Sequence, residues 1–163
     1  MIAVVNHEGG TAKTTTAVNL AAALSKGDSE MGIRPRRVLL VDLDPRGNVA
    51  TTFGIDKRRL GPTMNELFKG EVDGSSVSLE QCLLNPAQLT VAMREAWKRH
   101  NPERKRGAPK TMEVRNLWVL PADLDLSGVE IDLATRIGRE HRLRLALRQA
   151  RGRFDVVIVD TPP

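Results

Sequence analysis

The chain has 163 residues, 40% apolar and 28% charged, the mix of a folded globular domain rather than a disordered or fibrous one. A single cysteine, Cys82, excludes a disulfide framework and a cysteine-built metal cluster within the chain, and His7, His100 and His141 lack metal-ligand spacing. The net charge of +5 has a location: residues 1–84 balance ten basic against ten acidic residues, whereas 94–110 alone hold seven basic against two acidic, a basic appendage on a neutral core. No apolar run approaches the ~20 residues of a membrane span. The N-terminus has no basic lead or cleavage site, so a reducing cytoplasm is the expected compartment.

Met1 to Asn6 is apolar and β-branched and runs toward Gly9-Gly10, which predicts a short buried strand. Residues 13–26 predict a helix, with Ala17, Leu20, Ala21 and Leu24 along one face. Val38 to Val41 is a second continuous apolar strand with Asp42 and Asp44 at its end, followed by the turn Asp44-Pro45-Arg46-Gly47-Asn48. Thr63…Glu66 and Ser78…Gln81 fit capping boxes, so helices start after Thr63 and Ser78. Residues 87–99 predict an amphipathic helix with a basic outer face, and 101–110, with two prolines, one glycine and four basic residues, a loop. Leu117 to Leu120 is a third strand, 129–151 mostly helix, and Phe154 to Asp160 a fourth strand. Apolar strands alternating with helices predict an α/β domain with a parallel sheet covered on both faces. A sheet halted directly after Asp160 would leave an uncovered strand edge, so the sequence reads as the N-terminal piece of a longer protein, incomplete on its C-terminal side.

Between the first strand and the first helix lies Asn6-His7-Glu8-Gly9-Gly10-Thr11-Ala12-Lys13-Thr14-Thr15, the context a phosphate-binding loop requires. Gly9 and Gly10 permit torsions that aim successive N–H groups at one point, and the helix N-terminus adds its donors and dipole. Lys13 would reach the β- and γ-phosphates, Thr14 would ligate Mg²⁺, and Thr15 would donate to the α-phosphate. The strict pattern G-x-x-x-x-G-K-[ST] fails at His7 and Ala12. The segment resembles instead the deviant Walker A motif, K-G-G-x-G-K-[ST]-[ST], of the ParA/MinD superfamily of P-loop ATPases. The likeness continues in Thr16 to Leu24, in Val41 to Asn48 (family pattern V-D-x-D-P-Q-G-N), in Leu117 to Gly128 and in Phe154 to Pro163. It lapses over about 85–113, which reads as a basic insertion in a single P-loop ATPase domain spanning 1–163.

The resemblance implies a three-layer αβα fold of the P-loop NTPase kind, with ATP and Mg²⁺ as cofactors. It implies that Gly9, Gly10, Thr11, Ala12, Lys13, Thr14 and Thr15 bind the nucleotide. Asp44 positions the attacking water and, with Lys13, carries the catalysis. Thr14 and Asp160 hold the metal, with Asp42 in support, although Asp42 and Asp44 also read as residues that merely end a strand. It further implies ATP-dependent homodimerisation, non-specific DNA binding, a centromere-binding ParB-type partner, no membrane, and a cytoplasmic, nucleoid-associated protein of plasmid or chromosome partition. Glu8 stands where the family carries its signature lysine, so a non-hydrolysing nucleotide-gated module is the alternative, with a MinD-like membrane-cycling ATPase as a third reading. DNA contacts fall either on Arg104, Lys105 and Arg106 of the basic segment, otherwise a solvated loop, or on Arg142, Arg144 and Arg148.

Overall fold

In a computed structural model, residues 1–73, 77–104, 107–128 and 141–163 are described. Four strands, β1 (Ile2–Val4), β2 (Val38–Asp42), β3 (Leu117–Leu120) and β4 (Val156–Asp160), form one sheet in the order β1-β4-β2-β3. Every pairing is parallel. Parallel strands need crossover connections, and here they are the helices α1 (Lys13–Lys26), α2 (Asn48–Thr52), α3 (Met64–Asp73), α4 (Leu79–Cys82), α5 (Pro86–His100) and α6 (Arg142–Ala146).

Side-chain alternation along β2 sorts these helices into two layers. Val38 and Leu40 pack with Ala17, Val18 and Ala21 of α1, Val49 of α2, Phe53 and Leu89 of α5. Leu39 and Val41 pack on the other side with Met64, Leu67 and Phe68 of α3, Leu79 and Cys82 of α4, and Ala146 and Leu147 at the end of α6. The expected parallel sheet, covered on both faces, is present. β2 is buried throughout because it has a strand on each side and helices above and below.

Local signals account for several boundaries. α1 has the expected bounds and stops at Gly27, whose φ of +65° lets the chain turn back. Ser78 and Asn85 each cap a helix in reciprocal boxes with Gln81 and Gln88. At Thr63 the backbone N–H donates to Glu66 Oε2 at 2.7 Å, while the hydroxyl accepts from the Asn65 N–H at 3.1 Å. Thr63 Oγ1 also lies between the carboxylates of Glu66 and Asp123, at 2.9 and 2.8 Å.

Three expectations change. The first strand, expected to be buried, is a sheet edge with Ile2 44% exposed, because a strand pairs with it on one side only. The last strand is not an uncovered edge: β4 sits between β1 and β2, and the edges are β1 and β3. Sequence order cannot reveal this, since parallel pairing is set by crossovers. The helix expected over 129–151 is described only from residue 141, where α6 is followed by a tighter 3₁₀ turn at Leu147–Ala150; residues 129–140 lie outside the described residues.

Candidate functional site

Because the sheet is parallel, the C-terminal ends of β1, β2 and β4 open on one edge, the place where α/β sheets bind ligands. β1 leads into the Gly-Gly loop and α1, β2 ends at Asp42, and β4 ends at Asp160, which is Asp42's register partner. The Asp160 carbonyl accepts the Leu43 N–H at 2.9 Å, and the Thr161 hydroxyl donates to the Val4 carbonyl at 2.8 Å. The three strand ends are thus tied together.

The loop turns through Gly10 (φ +76°) and Ala12 (φ +61°, ψ +25°), the residue immediately before α1. A left-handed alanine is strained by roughly 1–2 kcal/mol. The cost of Ala12 where the family pattern has glycine therefore lies in the backbone and not in room for a methyl group. Gly9, Gly10, Thr11 and Thr15 are exposed, Thr14 half-buried, and Lys13 only 8% exposed. Lys13 Nζ donates to the Glu8 carbonyl at 2.9 Å, and the Thr11 hydroxyl donates to the same oxygen at 3.2 Å. Glu8 itself is exposed to solvent.

Three aspartates lie at the strand ends, each in a different state. Asp42 is fully buried, and its two oxygens accept the backbone N–H groups of Asp44 (2.9 Å) and Val49 (3.2 Å). Burial pushes its pKa to about 7, with Asp160 adding to the rise and the two N–H bonds opposing it. Asp160 is also fully buried, yet neither oxygen has a hydrogen-bond partner among the described residues. Burial raises its pKa too, offset in part by the Thr14 hydroxyl and by the charges of Lys13 and Arg46. An unsatisfied buried carboxylate is costly, and this one faces the N-terminus of α1. No three Asp, Glu, His or Cys residues converge as a metal cage among the described residues. The donor set suits a cation that keeps waters and phosphate oxygens in its shell.

Asp44, 3% exposed, is clamped by Arg46. Oδ1 accepts the Arg46 backbone N–H and Nε–H, both at 3.0 Å; Oδ2 accepts Nε–H at 3.0 Å and Nη2–H at 2.7 Å. Burial would raise the Asp44 pKa, but the Arg46 bonds and charge outweigh it and hold it low, with Lys13 helping. Composition alone makes Arg46 a turn residue. The signal that sets it apart is an arginine at the position where the family pattern carries glutamine.

The expected nucleotide and metal residues therefore share one edge. The basic candidates do not join them: Arg104 follows α5 in one helical layer, while Arg144 and Arg148 are exposed on α6 and its 3₁₀ extension in the other. Lys105 and Arg106 lie outside the described residues.

Comparison with known proteins agrees with this geometry. The family described as "AAA domain" matches residues 1–163. The chain is 34% identical over its whole length to the chromosome partitioning protein ParA of Myxococcus xanthus, covering 44% of that protein. It is 32% identical to the sporulation initiation inhibitor protein Soj of Bacillus subtilis, covering 49%. Among solved structures, cobyrinic acid a,c-diamide synthase from Mycobacterium smegmatis with bound ATP analog and magnesium superposes with a TM-score of 0.68 at 36% identity, over 99% of this chain and 50% of that one. The chain thus spans about half the length of the relatives it matches.

Proposed function

The chain belongs to the ParA/MinD superfamily of P-loop ATPases, and on that premise we propose that it binds ATP with Mg²⁺ at the edge formed by β1, β2 and β4. The observation that carries this reading is Asp160, fully buried with both oxygens unpartnered, beside Thr14 at the start of α1. The Thr14 hydroxyl and Asp160, the latter through water, would hold the cation, which supplies charge neutralisation for the phosphates. Asp42 supports that shell by fixing the loop from Asp44 to Val49. The N–H groups of Gly9 to Thr15 and the Lys13 ammonium would hold the phosphates, Lys13 exchanging the Glu8 carbonyl for a phosphate oxygen. Asp44 orients the attacking water.

In this reading residues 1–163 are one P-loop ATPase domain with a basic insertion at about 85–113. ATP closes a homodimer that binds DNA non-specifically and answers to a ParB-type partner in partition, in the cytoplasm on the nucleoid. Partition follows from the relative named for chromosome partitioning, the Myxococcus xanthus protein. A second reading, a nucleotide-gated module that does not hydrolyse, is favoured by one residue, Glu8, whose carboxylate would oppose phosphate charge. Titration of the full chain with ATP·Mg²⁺ should saturate. Lys13→Ala should weaken binding at least tenfold, and Asp160→Asn should remove the dependence on Mg²⁺ while leaving metal-free nucleotide binding. Equal affinity of the Lys13 variant and the unchanged chain would end the proposal.

A further inference from the structure

We infer that Arg46 reads the terminal phosphate of the nucleotide, exchanging the Asp44 carboxylate for it, and so sets the preference for a triphosphate over a diphosphate. The inference rests on the nucleotide site proposed above. Three N–H groups of one residue grip the Asp44 carboxylate through four hydrogen bonds of 2.7–3.0 Å. A carboxylate offers about four acceptor positions, so Asp44 has none left for a water while Arg46 holds it. The side chain of Asp44 is 4% exposed but that of Arg46 is 56% exposed, so the arginine is the partner with room to move. Apart from its bonds to Asp44, Arg46 is held at its backbone, where its carbonyl accepts from Lys57 Nζ.

The direction of that movement is set by charge. Arg46 is held on Asp44, two residues beyond Asp42, whose register partner is Asp160. The guanidinium therefore stands at the same strand edge as the loop that carries Lys13. A planar guanidinium binds phosphate in the forked geometry it already uses on Asp44. A triphosphate carries more negative charge than a diphosphate and would draw the guanidinium away from Asp44 more strongly. With Glu8 in place of a lysine, Arg46 is an exposed cation this chain offers beside the loop.

Removing Arg46 also unmasks the Asp44 charge, which alone would repel a terminal phosphate, so the test needs two backgrounds. In the full chain, Arg46→Gln should lower the ATP-to-ADP affinity ratio about tenfold, and Arg46→Lys, keeping a point charge without the fork, about threefold. In an Asp44→Asn background, where no carboxylate needs masking, Arg46→Gln should still lower the ratio about tenfold. A direct readout is the Arg46 Nε–H resonance in a ¹⁵N spectrum, identified by its loss in Arg46→Lys. It should shift with a non-hydrolysable ATP analogue and not with ADP. An unchanged ratio in the Asp44→Asn background, or a resonance indifferent to the analogue, overturns the inference while nucleotide binding itself persists. Failure of the unchanged chain to bind either nucleotide overturns the site and this inference together.

Discussion

Asp42 shows how one buried side chain serves two purposes at once. Its two oxygens accept the Asp44 and Val49 N–H groups that shape the loop after β2, yet burial lifts its pKa from an ordinary 3.8 to about 7. Between those values the folded chain keeps a proton that the unfolded chain has released. Stability therefore falls as pH rises from about 4 to 7, by at most about 4 kcal/mol. Urea midpoints measured from pH 5 to 8 should decline for the unchanged chain and stay nearly flat for Asp42→Asn. The variant should also be weaker at pH 5, because its amide cannot accept at both N–H groups. Asp44 works in the opposite sense: its lowered pKa contributes stability that is lost only as pH falls below the ordinary carboxylate range. At Glu8 the expectation concerns rate. Glu8→Lys restores a cation to the exposed rim of the loop, and a cation placed there is worth ~10²–10³-fold in turnover. If the unchanged chain already hydrolyses ATP as fast as Glu8→Lys, Glu8 is no obstacle to catalysis.

Elements whose cause is local are legible in the sequence, and those whose cause is distant are not. α1 has its expected bounds because its apolar face, its entry loop and its terminal Gly27 all lie within the segment itself. The helix starts after Thr63 and Ser78 are legible for the same reason, each cap reaching no further than three residues. The place of β4 inside the sheet is hidden, since its neighbours Ile2–Val4 and Val38–Asp42 are remote in sequence. At the site, the loop and its aspartates are legible as a pattern, whereas the Arg46 clamp needs the burial of Asp44 to acquire meaning. Gly54 makes a further close approach that sequence alone conceals. It sits at φ +77° just after α2, and an added Cβ would lie 2.5 Å from the Ala96 Cβ and 3.2 Å from the Ala92 carbonyl of α5. Gly54→Ala combines a strained backbone with overpacking and should cost about 2–4 kcal/mol. A melting temperature lower by roughly 5–10 °C is expected. Gly61→Ala, with nothing within 4 Å and no positive φ, should leave the melting temperature almost unmoved. A tolerant Gly54 would mean that α5 docks less closely on α2 than the structure has it.

At the scale of the whole molecule the sheet separates two basic surfaces, and a single duplex lying flat on one helical layer cannot use both. One surface follows α5, on the layer of α1, and carries Arg104. The other is α6 with its 3₁₀ extension, on the layer of α3, where Arg144 and Arg148 are exposed four residues apart and Arg151 is exposed beyond them. Arg144 and Arg148 lie about one turn apart along a helical segment. A helical segment holds its charges in place at less ordering cost than a loop incurs. We therefore expect the α6 surface to carry the phosphate contacts of the ATP-bound full chain. Arg144→Ala with Arg148→Ala should flatten the log–log dependence of DNA affinity on salt by about 2 units, roughly 0.9 for each phosphate no longer neutralised. Adding Arg142→Ala should change the slope less, because Arg142 is half-buried and already engaged within the fold. Neutralising Arg104, Lys105 and Arg106 should leave the slope nearly unchanged. Affinity should fall by the same factor on duplexes of unrelated sequence, since phosphate contacts carry no base information. Anisotropy titrations across a salt series of roughly 50 to 200 mM separate the surfaces. A slope that flattens with the 104–106 changes, and not with the α6 changes, moves the DNA to the opposite face of the sheet.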